Sequence, residues 1–409
     1  MKIMTIGKSP YLLTSHAQIN GFLLQHLHNS GHMVASIVSN HDSSYFVPEE
    51  DKQGNPRHYY KFKGNKIPLL PFIFNKEPAV FVYEILNIFK PDIIITVGDF
   101  IDCTFMKAVK MFCEHQFKWI ALLANYSYPI NEKIIELVDS MDAIMCSNIM
   151  TANMIKELFQ KDTLETCYIG GYPDSGSKQN DNSKFRIMTS GKNAQVDNIP
   201  MLMEVVSELT DEIPNIELYV HSNVYDIGDY DLNLVRERID PEEKFIRFPD
   251  KYVSLTDGYS SEEYRAELRN SDLFVSASMT SGTGLSVFDA ISCGCVPLMS
   301  DVGCHKEIAN AITKFCSEID IDEITIPCIN IMTIGETYLG VCNPKELKYK
   351  IRQLYQKITK KGGCQAGFKE LIKVHNREEF WKTLDKIIMC KNSLEPSICV
   401  EIIGENRHG

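Results

Sequence analysis

Between Ser278 and Gly284 the chain reads Ser-Met-Thr-Ser-Gly-Thr-Gly, and its two glycines let backbone N–H groups close on a bound group. The helical pattern from Leu285 to Ser292 aims the positive end of its dipole at the same place. Together, Gly282, Thr283, Gly284 and Leu285 could cradle a phosphate or diphosphate, or they could form a tight structural turn. Asp289, one helical turn in, could accept from ribose hydroxyls or simply favour the helix amino end. His221 ends the strand-like run Ile216 to Val220 and is equally a ligand contact or a satisfied loop histidine. In the first half, Gly98-Asp-Phe-Ile-Asp102 places Asp99 and Asp102 past another strand, to meet a substrate or to cap the next helix. Lys8, Ser15 and His16 add a cation, a hydroxyl and an imidazole in the first loop.

The elements that must position these groups follow one rhythm. Lys2 to Ile6 reads as a strand, and Ser15-His-Ala-Gln18 fits a capping box with Ser15 as N-cap. Ile19, Phe22, Leu23, His26 and Leu27 recur at helical spacing, Gly31 stops the helix, and Met33 to Val38 is the next strand. Strand, helix, strand with short connections implies a parallel sheet with a right-handed crossover. The alternation continues through Asp92–Val97, Trp119–Leu123 and Ala143–Cys146, whose continuous apolar character suits a sheet covered on both faces. Gly170 to Ser183 is rich in Gly, Ser, Asn and Asp and reads as a linker. Strands then restart at Phe185–Thr189, Ile216–Val220, Phe245–Phe248, Leu273–Ser276 and Val296–Met299, with helices between. The expected division is 1–175 as the first doubly wound domain, 176–182 as linker, 183–345 as the second, and 346–409 as a helical segment and tail.

Composition narrows the class. The 409 residues are 44% hydrophobic and 23% charged, an ordinary globular balance with apolar material for two cores. A net charge of −12 argues against bulk attraction to nucleic acid. Arg57 to Lys66, where basic and aromatic residues alternate, reads as a strand-and-turn surface or as a rim for weak peripheral membrane contact. The apolar stretch Ile67–Phe74 is too short to span a bilayer, and Met1 to Gly7 does not read as a signal peptide, so a cytoplasmic protein is expected. Thirteen cysteines with no Cys-x-x-Cys spacing read as free thiols, and no metal site or bound cofactor is expected.

From Phe185 to about Asn310 these motifs resemble the donor half of the family 4 glycosyltransferases. The resemblance rests on Ser271 to Ser278, Ser281-Gly-Thr-Gly-Leu-Ser-Val-Phe-Asp-Ala-Ile291, and Gly294-Cys-Val-Pro-Leu-Met-Ser-Asp301 through Ile308. Looser matches in the first half are Gly31-His32, Pro91 to Ile95 with Gly98-Asp99, and Asp142 to Ser147. The resemblance implies an α/β GT-B fold, with two Rossmann-like domains facing a central cleft and a C-terminal helix crossing back. It also implies retaining, metal-independent transfer from a nucleotide-sugar co-substrate to an unidentified glycan, lipid or protein acceptor.

The chain departs from that family where charge matters. The two glutamates of the family pattern are replaced by Ser281 and Asp289, and the Arg-Lys pair that holds the diphosphate by Val196-Asp197. Lys192 is the remaining cation nearby, with Lys8, Lys306 and Arg247 as substitutes from elsewhere. The acid or histidine expected after the Trp119 strand is replaced around Tyr126. The resemblance therefore assigns Asp99, Ser281 and Lys192 as catalytic candidates, with Asp289, His221 and Arg247 joining the glycine loop on the donor. Lys8, Ser15, His16 and Tyr126 fall on the acceptor side. A degenerate protein that binds a nucleotide or sugar without turnover is the alternative.

Overall fold

The computed structural model describes residues 1–12, 14–39, 48–54, 56–72, 76–124, 135–159, 164–166, 168–171, 183–224, 229–251, 259–333, 338–361 and 365–390. The chain forms two compact units, one of residues 1–125, 130–167 and 381–409, the other of residues 126–129 and 168–380. The expected linker at 176–182 and the candidate Tyr126 lie outside the described residues.

The first unit runs β1 (Lys2–Lys8), α1 (Ser15–Asn29), β2 (Met33–Ser39), β3 (Glu49–Glu50), β4 (Pro56–Phe62), β5 (Asn65–Pro71) and α2 (Pro78–Phe89). It continues with β6 (Ile93–Gly98), α3 (Met106–Phe112), β7 (Lys118–Leu123), α4 (Ile135–Asp139), β8 (Ala143–Cys146), α5 (Ile149–Phe159) and β9 (Leu164–Thr166). The described strands make one sheet in the order β3-β4-β5-β2-β1-β6-β7-β8-β9. Pairing is parallel from β5 to β9 across the sheet, with an antiparallel edge of β3, β4 and β5. Every residue of β6 is buried, as a strand covered on both faces requires. The Trp119 ring lies fully inside, and its indole N–H donates to Thr96 Oγ1 at 3.1 Å, which removes the cost of burying that donor.

One local expectation is corrected and another refined. The N-cap of α1 is Thr14, whose Oγ1 accepts from Ala17 N at 3.3 Å, so Ser15 is the first helical residue. Residues 57–66 form the β4–β5 hairpin, and their cations are paired: Arg57 with Asp51, and both Lys61 and Lys66 with Glu49. Local carboxylates thus offset the basic rim. No described helix is long and apolar enough to cross a membrane.

The second unit runs β10 (Phe185–Ser190), α6 (Ile199–Ser207), β11 (Ile216–His221), α7 (Leu232–Ile239), β12 (Ile246–Arg247), α8 (Ser261–Arg269), β13 (Leu273–Ser276), α9 (Leu285–Ser292) and β14 (Val296–Ser300). It continues with α10 (His305–Phe315), α11 (Ile321–Ile324), β15 (Thr325–Ile326), β16 (Cys328–Met332), β17 (Tyr338–Cys342), α12 (Pro344–Lys361), α13 (Gln365–Val374) and α14 (Arg377–Met389). Strands β12-β11-β10-β13-β14-β15 form an all-parallel sheet. The order reverses between β10 and β13, the kind of switch point where open sheets bind ligands beyond their strand ends. Strands β16 and β17 form a separate antiparallel hairpin. The boundary between units falls inside α14, so the chain returns to the first unit through its last described helix.

Candidate functional site

At the carboxyl end of β13, the loop from Ala277 to Gly284 turns the chain into α9. Gly284 is the N-cap at φ 59°, a left-handed conformation, and a Cβ there would stand 2.1 Å from Ile308 Cδ1. Glycine is therefore favoured by conformation, and a Cβ would also have to displace the end of the Ile308 side chain. Thr283 is buried, with its Oγ1 accepting from Leu285 N at 3.3 Å. Ser281 is braced from the β14–α10 turn: its carbonyl accepts from Cys304 N at 2.9 Å and its Oγ lies 3.3 Å from Cys304 Sγ. Gly303, at φ 49°, makes that approach possible, because a Cβ would fall 2.0 Å from the Ser281 carbonyl oxygen. The loop is fixed before any ligand arrives, which is the preorganisation an oxyanion or phosphate site needs.

The neighbouring strand ends supply buried polar atoms without partners. Asn193 Oδ1, His221 Nδ1 and Ser222 Oγ are each buried with no hydrogen-bond partner in the protein. They lie at or just past the ends of β10 and β11, which pair residue for residue up to Ser190 and His221. A buried polar atom left unpaired costs about 1–3 kcal/mol. Three such atoms at the ligand-binding end of one sheet mark a place built to be completed by another molecule. The imidazole of His221 is ringed by Tyr219, Tyr259 and Tyr264, with centroids 6.0, 5.1 and 4.8 Å away. Burial pushes its pKa down to about 3, so it stands neutral and Nδ1 can donate or accept according to tautomer.

The charged candidates divide. Lys192 is exposed on the loop after β10, where its charge favours the ionised form of Asp197. Asp197 ends a short 3-10 turn, Gln195–Asp197, and accepts from Ser278 Oγ at 3.4 Å, while Val196 O accepts from Met279 N at 2.7 Å. Burial raises the Asp197 carboxyl to about 6, against the pull of Ser278 and Lys192. The full negative charge that sequence suggested opposite the phosphates is therefore partly titrated near neutral pH. Arg247 is committed elsewhere: its Nε lies 3.8 Å from Glu217 Oε2 and Nη1 donates to the Glu243 carbonyl. Lys306, in the first turn of α10, stands 3.8 Å from Asp301.

Asp289 is not a solvated acid. It is buried in α9, and Arg377 Nη2 donates to its Oδ1 at 2.8 Å. Burial raises its carboxyl to about 6, against the attraction of Arg377 and Arg265. Sequence reading missed Arg377, Asn193 and Ser222. Arg377 lies in a distant helix, and no spacing rule connects it to Asp289. Asn193 and Ser222 are ordinary loop residues until their burial is known.

In the first unit, Asp99 Oδ1 accepts from Asp102 N at 3.1 Å and Asp102 Oδ2 accepts from Asp99 N at 3.3 Å, so this pair closes the turn after β6. Burial, reinforced by the Asp99 charge, raises Asp102. His16 is buried, with Nε2 3.3 Å from the Ala124 carbonyl, which requires Nε2 to carry the proton. Burial and the Lys8 charge lower its pKa, opposed by Asp102 and Asp99. Lys8, His16, Asp99 and Asp102 are thus electrically linked at the ends of β1 and β6, whereas Ser15 lies exposed at the start of α1. Among the described residues, no three His, Cys, Asp or Glu side chains gather as a metal-binding group.

Residues 184–357 match the family model described as glycosyl transferases group 1. No curated protein matches the chain by sequence. Among solved structures, sucrose-phosphate synthase from Thermosynechococcus elongatus superposes with a TM-score of 0.66 at 11% identity, covering 95% of this chain and 98% of that one. Anabaena HepE in complex with UDP gives 0.64 at 10% identity, covering 94% and 100%. The pneumococcal O-GlcNAc transferase GtfA in complex with UDP and GlcNAc gives 0.62 at 11% identity, covering 95% and 98%. At such identities the likeness is one of fold, and that fold is the GT-B fold. The chain therefore has the GT-B architecture of these structures, and its residues 184–357 are similar to the glycosyl transferases group 1 family.

Proposed function

We propose that this protein transfers a sugar from a nucleoside-diphosphate sugar to an acceptor, with retention of configuration and without a metal. The observation that carries the reading is the Ser281–Gly284 loop at the amino end of α9, together with the unpartnered buried atoms Asn193 Oδ1, His221 Nδ1 and Ser222 Oγ. Cleaving the bond to a diphosphate develops negative charge on the leaving phosphate. The N–H groups of Thr283 and Gly284 and the α9 dipole would stabilise that charge, and removing one such donor typically costs ~10²–10³-fold in rate. Lys192 is the nearby cation, and Ser281 takes the loop position beside the sugar. Asp289, held by Arg377, would accept from ribose, and the His221 group would meet the nucleoside. In the first unit Asp99 would orient the acceptor hydroxyl, with Lys8 and His16 near it. HepE and GtfA are known with UDP, which makes uridine nucleotides the first donors to try.

The second reading, a nucleotide-binding protein without turnover, is favoured by Val196-Asp197 in place of two cations and by the commitment of Arg247 to Glu217. A thermal-shift screen against UDP, GDP, ADP, CMP and their sugars, with released nucleotide assayed in the same wells, separates the two. Stabilisation with release supports donor turnover, and stabilisation without release supports the binder. No shift with any compound would remove the donor site from both.

A further inference from the structure

Cys328 opens β16 and Cys342 closes β17, and the two are direct partners in the antiparallel ladder. Direct partners lie about 4.5 or 5.5 Å apart at Cα. Both separations fall inside the roughly 4.4–6.8 Å range that a disulfide spans. The side chains share one face: a Cβ added to Gly340, two residues before Cys342, would come 3.1 Å from Cys328 Cβ. The two thiols also share a hydrogen bond, which favours thiolate at Cys342 and keeps the proton on Cys328. Cys342 is buried and Cys328 is partly exposed, so one sulfur is reachable and the other waits behind it.

The hairpin is tied to the glycine-loop region. Gly340 N donates to Met279 O at 2.8 Å, and Met279 N donates to Val196 O at 2.7 Å. The Cys342 sulfur stands 3.9 Å from both Asn198 Nδ2 and Ala277 O. A covalent change at Cys342 therefore acts one bond away from the residues that carry Asp197 and Ser278.

We propose that Cys328 and Cys342 form a reversible disulfide that closes the open end of the β16–β17 hairpin and alters the loop it braces. The oxidant is a low-molecular-weight disulfide such as glutathione disulfide. The reachable Cys328 thiol attacks one of its sulfurs, its proton passing to the departing glutathione thiolate, and a mixed disulfide forms. The Cys342 thiolate then attacks Cys328 Sγ, which breaks the mixed disulfide and releases the second glutathione. The protein loses two protons and two electrons, and one small disulfide becomes two thiols.

The full chain, equilibrated in glutathione buffers of rising oxidised fraction, alkylated and mapped by mass spectrometry, tests the bond. A cross-linked species containing Cys328 and Cys342, two hydrogens lighter and absent from Cys328→Ser, is expected. Alkylation of both cysteines in the most oxidising buffer, or glutathione retained on Cys328 alone, would overturn it. The wild-type mapping decides the bond even where a variant folds poorly. The effect on the loop rests on the proposed donor site, and is read from the UDP-induced Tm shift of oxidised against reduced protein. Different shifts are expected, and equal shifts would remove the coupling. UDP shifting neither form would sink the donor reading and the coupling with it, while the mapping still decides the bond.

Discussion

A carboxylate beside a phosphate site opposes an anionic ligand, and Asp197 sits near Lys192 and Ser278 with its carboxyl raised to about 6. The folded protein holds this proton more tightly than the unfolded chain, whose aspartate titrates near 3.9. Its contribution to stability is thus most favourable below about pH 4 and is lost as pH rises through about 6. Asp197→Asn should accordingly stabilise the protein at pH 7.5 by ~1–3 kcal/mol, read from urea melts, and should not do so at pH 4. A bound diphosphate would raise the carboxyl further. UDP should therefore bind several-fold more tightly at pH 5.5 than at pH 7.5 in the wild type, and Asp197→Asn should flatten that profile in calorimetric titrations. Gly284→Ala tests the loop by geometry alone. With φ at 59° and Ile308 in the way, it should cost ~2–4 kcal/mol and abolish UDP binding even where the fold survives. Sequence could name Gly284 and Asp197 but not the state of either. Glycine spacing signals a turn, whereas the charge on an aspartate depends on burial that only the folded chain creates.

At the scale of elements, α9 is held from a distance. Gly170 and Gly171 pass so close that a Cβ on Gly171 would lie 1.9 Å from Ser292 Oγ, and Gly171 bridges to Asn376 just before Arg377 meets Asp289. Breaking a buried pair by removing one partner strands the other charge, at a cost of about 3–5 kcal/mol. Arg377→Met should destabilise by that order in chemical melts at pH 7.5, whereas Asp289→Asn combined with Arg377→Met should recover most of the loss. If Asp289 also meets ribose, the double variant should still bind UDP more weakly than wild type. The strands that carry the site were legible because runs such as Leu273–Val275 and Val296–Met299 are apolar throughout, as a doubly covered parallel sheet demands. The β16–β17 hairpin was not read, although Cys328-Ile-Asn-Ile-Met332 is short, β-rich and exposed along most of its length. The Asp289–Arg377 pair joins positions 88 residues apart and leaves no periodic trace. Thr14 and Ser15 are equally good N-caps in sequence, and the backbone of Thr14, extended at ψ 148°, decides between them.

At the scale of the molecule, the chain leaves its first unit and re-enters it within α14. Phe380 is fully buried in the second unit's share of that helix, while Leu384, Ile387 and Ile388 are buried in the first unit's share. Trp381 stacks on His26 with ring centroids 4.8 Å apart, and Asp385 accepts from or pairs with His26 Nε2 at 2.9 Å. One helix therefore contributes to two cores, and single substitutions along it should report on different units. Leu384→Ala should destabilise the first unit by ~2–5 kcal/mol, and Phe380→Ala should act on the second by ~3–5 kcal/mol. Hydrogen exchange resolved by peptide would separate them. Leu384→Ala should raise exchange first in β1, β6 and β7, and Phe380→Ala in β10, β13 and β14. Deleting residues 377–409 removes both anchors together with Arg377. Three lost aliphatic side chains alone forfeit roughly 5–9 kcal/mol of burial in the first unit, comparable to a domain's whole stability. The truncated chain should thus lose cooperative melting in both units. A first unit that still melts as the wild type does would show that α14 is an accessory rather than a part of its core.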